Sequence, residues 1–298
     1  MEKRQLGKTD MWVTPLGFGG AEVGFARAEV EAVERVLNDA LDAGLNVIDT
    51  AECYGSGEET VGHAVSKRRG EYYLFTKCGH AAGLDLPDWD LKMLEQSVER
   101  SLRLLQTDYV DVLQLHSCGD DLLRQGDVIE FLQKMRDAGK TRYIGYSGDG
   151  QAAKYALETG AFDTLQTSIN IADQEGIDLT LPIAREKNVG VIIKRPIANA
   201  AWTHDTAPDN DYIIDYWNRL QALQYDFLQS DKSAAAETAL RFTLGLPGVH
   251  TAIVGTAKPG RWRENAASAE KGPLTTEQYE AIRAKWRETA APDWTGRV

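Results

Sequence analysis

The chain has 298 residues, 43% of them hydrophobic and 26% charged, an ordinary balance for a packed globular protein. Its formal net charge of -12 argues against nucleic acid or an anionic membrane as main partner, since both demand a basic face. No stretch approaches the roughly 18 apolar residues of a membrane span, and the first eight residues lead into no apolar targeting core, so a cytoplasmic location is expected, with 1–298 forming one domain.

Residues 3–13 read as a β-hairpin. Eight short β-branched or apolar runs follow at 16–20, 46–50, 72–77, 110–116, 141–147, 164–169, 189–195 and 251–255. Between them lie segments with apolar residues at three- and four-residue steps, as at 28–43, 91–105 and 126–138, which predict helices. Asp90 can cap the second of these, and Gly44 and Gly139 can stop the first and third. Residues 205–215, acidic and containing Pro208, read as a surface loop after the seventh strand, with an extra helix at 216–228 and another at the C-terminus. Alternating strand and helix means a parallel sheet, and eight such units predict a closed (β/α)8 TIM barrel. The entry Gly17-Phe18-Gly19-Gly20 lacks the GxGxxG spacing of a doubly wound dinucleotide fold.

Three successive apolar strands end in an ionisable residue: Val47-Ile48-Asp49, Leu74-Phe75-Thr76-Lys77 and Val112-Leu113-Gln114-Leu115-His116. In a β/α barrel the carboxyl ends of the strands form the catalytic face, so these side chains should share one mouth. Tyr54 lies five residues beyond Asp49 on the adjoining loop. Asp49 and Lys77 supply opposite charges on neighbouring strands, and a cation beside Tyr54 favours its phenolate, which is expected to lower its pKa and make it a proton donor. His116 can orient a carbonyl oxygen or assist the proton transfer while a nicotinamide delivers hydride. The set implies reduction of a small-molecule carbonyl, or oxidation of the alcohol.

The strings Asp49-Thr50-Ala51-Glu52-Cys53-Tyr54-Gly55, Thr76-Lys77, the segment 94–102 through Tyr109-Val110-Asp111 to His116, and Gly139-Lys140-Thr141-Arg142-Tyr143-Ile144-Gly145-Tyr146-Ser147 closely resemble the aldo-keto reductases, over nearly the whole chain. The resemblance implies a tetrad with Tyr54 as acid–base residue, Lys77 lowering its pKa, Asp49 pairing with Lys77, and His116 positioning the carbonyl. It implies that Ser147 and Gln166 hold the nicotinamide carboxamide, that Gly20, Ala21 and Asp49 lie beside the cofactor, and that Lys194, Arg195, Pro196 and Ile197 line it. Gly255, Thr256, Lys258, Arg261 and Asn265 then bind the adenosine end, where basic side chains and a helix amino end suit a 2′-phosphate, so NADP(H) is favoured over NAD(H). Trp202 is a candidate wall of the substrate pocket. The chain departs from the family in Gly148, where Asn is usual, in Lys194, where an aromatic residue often stacks on the nicotinamide, and in Gly255, where many members carry lysine.

Two other functions compete with this one. A barrel could hold NADP(H) as a redox-sensing module with little turnover, or use Asp49, His116 and Cys118 as ligands of a metal-dependent hydrolase. Cys53, Cys78 and Cys118 form no CxxC and read as free thiols and small buried residues; strand alternation turns Cys53 and Cys78 away from their catalytic neighbours, and no metal site is expected.

Overall fold

The computed structural model describes residues 1–25, 29–229 and 231–296. Ala28, the expected first residue of the first long helix, lies outside them.

The hairpin forms from β1 (Arg4–Gln5) and β2 (Trp12–Val13), antiparallel with Arg4 opposite Val13. The eight expected runs become β3 (Leu16–Gly19), β4 (Val47–Asp49), β5 (Tyr73–Cys78), β6 (Val110–His116), β7 (Thr141–Ser147), β8 (Thr164–Ser168), β9 (Gly190–Lys194) and β10 (Thr251–Val254). They pair in parallel in chain order, and β10 returns to β3, closing the barrel. Closure satisfies every edge and leaves the two ends as the barrel's only openings.

Inward-facing Val47, Phe75, Val112, Ile192 and Ile253 fill the barrel and meet Leu6, Met11 and Val13 of the hairpin, all of them buried. The hairpin therefore plugs the amino-terminal end, and chemistry is left to the other. Outward-facing strand residues pack against the helices: Val30–Asp42 buries Val33, Val36, Leu37, Ala40 and Leu41 at three- and four-residue steps. Asp90 Oδ1 accepts from the amides of Lys92 and Met93 at 2.9 and 3.1 Å, capping Leu91–Leu105 as its sequence predicts.

The segment after β9 differs from expectation. The acidic loop ends at Asn210, whose side chain accepts from the Tyr212 amide at 2.9 Å and starts a helix over Asp211–Leu223, five residues before the expected 216. An acidic run reads as loop, yet a carboxylate in the first turn is favourable at the positive helix end. Tyr216, Leu220 and Leu223 of this helix join Phe242, Ile282 and Trp286 in a second apolar cluster beside the barrel. The C-terminal helix Thr276–Thr289 opens with a reciprocal cap between Thr275 and Gln278. Beyond it the chain turns back over the carboxyl end of the barrel: Thr295 O accepts from Arg219 at 2.8 Å, and the Gly296 amide donates to Glu175 Oε2 at 3.1 Å.

Candidate active site

Asp49, Lys77 and His116 stand at the carboxyl ends of three adjacent strands, β4, β5 and β6. Lys77 Nζ donates to Asp49 Oδ1 at 2.5 Å and to Thr50 O at 2.8 Å. The other carboxylate oxygen accepts from Gln114 Nε2 at 3.2 Å and Gln166 Nε2 at 2.8 Å. A buried ion pair holds only when its remaining lone pairs are satisfied, and here they are. Burial alone works to strip the Lys77 proton, but the charge and hydrogen bond of Asp49, together with the charges of Tyr54 and Glu52, outweigh it and hold the amine above its ordinary value, so it stays a cation.

Tyr54 leaves β4 on a short turn that crosses close over Gly24, where an added Cβ would lie 1.8 Å from Tyr54 O. Its ring centroid is 5.0 Å from Lys77 Nζ, and the His116 ring meets it edge-on at 5.6 Å and 77°. The four expected side chains are thus gathered. The direction of the Tyr54 shift is not the expected one: burial raises the phenol above 10 by more than Lys77 lowers it, so the group keeps its proton at neutral pH.

Sequence reasoning gave Glu52 no role, although it lies within the matching string. Its carboxylate is buried, accepts from the His80 amide at 3.0 Å, and sits 3.3 Å from His116 Nδ1. Burial favours its neutral form, but the hydrogen bond and charge of His116, with His80, hold it below the ordinary value. His116 in turn is lowered by burial, with Glu52 the main opposing influence. Cys53 Sγ lies 3.5 Å from the same Nδ1, against the expectation that it faces away. Residue 53 sits in a turn, where strand alternation does not apply. Burial pushes its thiol up to about 12, so it is protonated. Cys78 does face the outer core, and Cys118 is buried with Sγ 3.7 Å from Gly119 O. Asp49, His116 and Cys118 do not form a ligand group.

On the side expected to take a nicotinamide, Ser147 Oγ donates to Gln166 Oε1 at 3.2 Å, and Gln166 links onward to Asp49. Gly148 has a steric reason: a Cβ there would lie 2.5 Å from the Tyr146 hydroxyl, which is fixed by a 2.6 Å bond to Cys118 O. Lys194 is held 3.0 Å from buried Asp149, which also accepts from Thr167 Oγ1 and the Ser168 amide. Arg195 donates to Ser168 Oγ at 3.2 Å, Pro196 O accepts from Thr243 at 3.0 Å, and Ile197 packs against the apolar core. Gly20 N donates to Asp49 O at 2.7 Å, and Ala21 opens a helix over Ala21–Phe25.

At the end of β10, Gly255 is half-buried, and Thr256 is buried and accepts from the Lys258 amide at 3.0 Å. Lys258 and Arg261 are exposed around the start of the helix Arg261–Glu270, with Asn265 half-buried one turn in. Arg261 pairs with Glu264 at 3.0 Å and its amide donates to Lys258 O at 3.3 Å, so exposed Lys258 and the amino end of the helix are the groups that best fit a nucleotide phosphate. Arg263 is committed elsewhere, donating to Asp39 O at 3.0 Å. Trp202 packs in the second apolar cluster, its indole N–H unpartnered among the described residues.

Comparison with known proteins bears on the family and the fold. The sequence model of the Aldo/keto reductase family matches residues 15–287. L-galactose dehydrogenase of Arabidopsis thaliana is 30% identical over 90% of this chain and 88% of its own. The uncharacterized oxidoreductase YqkF of Bacillus subtilis is 28% identical over 95% and 96%. Among solved structures, the holo form of aldo-keto reductase AKR11C1 from Bacillus halodurans superposes with a TM-score of 0.83 at 28% identity, covering 99% of each chain. No helix among the described residues is long and apolar enough to cross a membrane.

Proposed function

The chain belongs to the aldo/keto reductase family, and from that premise we propose that it transfers hydride between NADP(H) and a small aldehyde or ketone, or the corresponding alcohol. The observation that carries this reading is the buried Lys77–Asp49 pair set beside the Tyr54 ring, with His116 across the same mouth. Lys258 and Arg261 favour NADPH over NADH through charge-assisted bonds to a 2′-phosphate.

Bound NADPH supplies the hydride. Tyr54 meets the carbonyl oxygen still carrying its proton, which is the form an acid needs. As the proton leaves, the Lys77 cation offsets the charge growing on the phenolate, and Asp49, itself held by Gln114 and Gln166, keeps that cation in place. His116, steadied by Glu52, orients the carbonyl oxygen. Alcohol oxidation runs the same steps in reverse, with Tyr54 as base. Ser147 and Gln166 are the polar groups available to a carboxamide, and Lys194 takes the place of an aromatic stacking surface.

A redox-sensing module with little turnover would not need all four groups around one space, and no observation favours it. Loss of NADPH absorbance with a panel of aldehydes and ketones tests the proposal; tight NADPH binding with no carbonyl reduced would overturn it.

A further inference from the structure

Two loops and a strand end at the carboxyl end of the barrel bring together side chains of a kind that bind metals. Glu52 follows β4, His80 follows β5, and His116 ends β6; one donor atom of each lies within 4.8 Å of the others. Two imidazoles and a carboxylate form the donor set of an open transition-metal site. The pair formed by Glu52 Oε2 and His116 Nδ1 is 3.3 Å apart. That is roughly the spacing of two ligands in a tetrahedral zinc shell with bonds of about 2.0–2.1 Å.

The surroundings of His80 add an independent sign. Its Nδ1 is 2.9 Å from Asp88 Oδ2, and the other oxygen of Asp88 is fixed by the Ala81 amide at 2.8 Å. A carboxylate behind one ring nitrogen leaves Nε2 as the ligating atom and orients the ring, the outer support that metal-bound histidines usually have. The His80 ring stands 5.2 Å from the His116 ring at 65°, and its side chain is 35% exposed, which gives an ion a path in. Cys53 Sγ, 3.5 Å from His116 Nδ1, borders the same space.

We propose that Glu52, His80 and His116 bind a divalent ion of the zinc class, with water completing the shell. Imidazole ligands select such ions over magnesium and calcium, which take oxygen. A bound ion takes the Nδ1 lone pair of His116 and the room beside it, so it suppresses the carbonyl turnover proposed above. That inhibitory role rests on the proposed function; the binding itself does not.

The test is calorimetric titration of the chelator-treated full-length protein with zinc chloride, magnesium chloride serving as control. One saturable zinc site is expected, with no response to magnesium. Affinity should fall at least tenfold in His80→Ala and by a smaller factor in Asp88→Asn. Cobalt(II) added to the unaltered protein should give the visible absorption of a low-coordinate nitrogen and oxygen site, a readout independent of any variant's folding. His80→Ala should keep the chelator-treated activity and lose its sensitivity to zinc. Absence of saturable zinc binding, or unchanged affinity in His80→Ala, overturns the site. Zinc binding to a protein that reduces no carbonyl would uphold the site and sink the reductase reading instead.

Discussion

Lys77 Nζ lies 2.5 Å from Asp49 Oδ1, with both side chains about 1% exposed. Neither charge can be removed alone without leaving the other buried and uncompensated.

Lys77→Met is therefore expected to lower folding stability by about 3–5 kcal/mol and to abolish turnover. The double change Asp49→Asn with Lys77→Met should recover much of the stability and none of the activity. Urea unfolding alongside NADPH oxidation separates the two; a double variant as unstable as the single one would show that the pair is not what holds this end of the barrel.

Tyr54→Phe removes one hydroxyl and leaves the ring against His116. Carbonyl reduction should fall roughly 100- to 10,000-fold, the usual contribution of a positioned acid. NADPH affinity, read by fluorescence, should stay put. Near-normal turnover would take Tyr54 out of the mechanism.

Glu52→Gln removes the main influence that raises the His116 pKa against burial. With His116 proton loss then favoured, the titration of the His116 ring, followed by NMR, is expected to move to lower pH. An unchanged titration would mean that Glu52 only packs.

Glu58, buried in the first turn of Gly57–Val65, accepts from Thr76 Oγ1 at 2.6 Å, and burial pushes its carboxyl up from the ordinary 4.5 to about 7. The folded state then binds a proton that the unfolded chain has released, so this residue subtracts stability as pH rises from about 4.5 through 7. Glu58→Gln should gain on the unaltered protein by up to about 3 kcal/mol between pH 5 and pH 8. Parallel stability curves across that range would refute the assignment.

Lys258→Ala and Arg261→Ala should each weaken NADPH binding about tenfold, since a hydrogen bond to a charged group contributes about 1.5 kcal/mol or more. NADH binding should change little. Equal losses for both cofactors would remove the 2′-phosphate from the account.

The barrel and the meeting of Asp49, Lys77 and His116 at one mouth were legible because closure imposes a pattern on sequence: a run of apolar residues ending in an ionisable residue has few structural explanations. Glu52 and His80 carried no such mark. They sit on loops after different strands, 28 residues apart, and only the closing of the sheet brings the His80 amide to the Glu52 carboxylate. The sign of the Tyr54 shift was hidden for a related reason: sequence reveals a neighbouring cation, while the depth of burial is a property of the assembled mouth. Residues 211–215 were misread because acidic side chains suit both a solvated loop and a first helical turn.

The crowding of Tyr146 against Gly148 also constrains the routes by which this protein can change. Any side chain larger than hydrogen at 148 collides with the phenol, while trimming 146 first opens a void that costs about 3–5 kcal/mol when an aromatic ring is lost from a core. The two sites form a lock with no cheap first move. An amide at 148 is reachable only through an intermediate that either clashes or is hollow, and a library that randomises one position at a time will not find it.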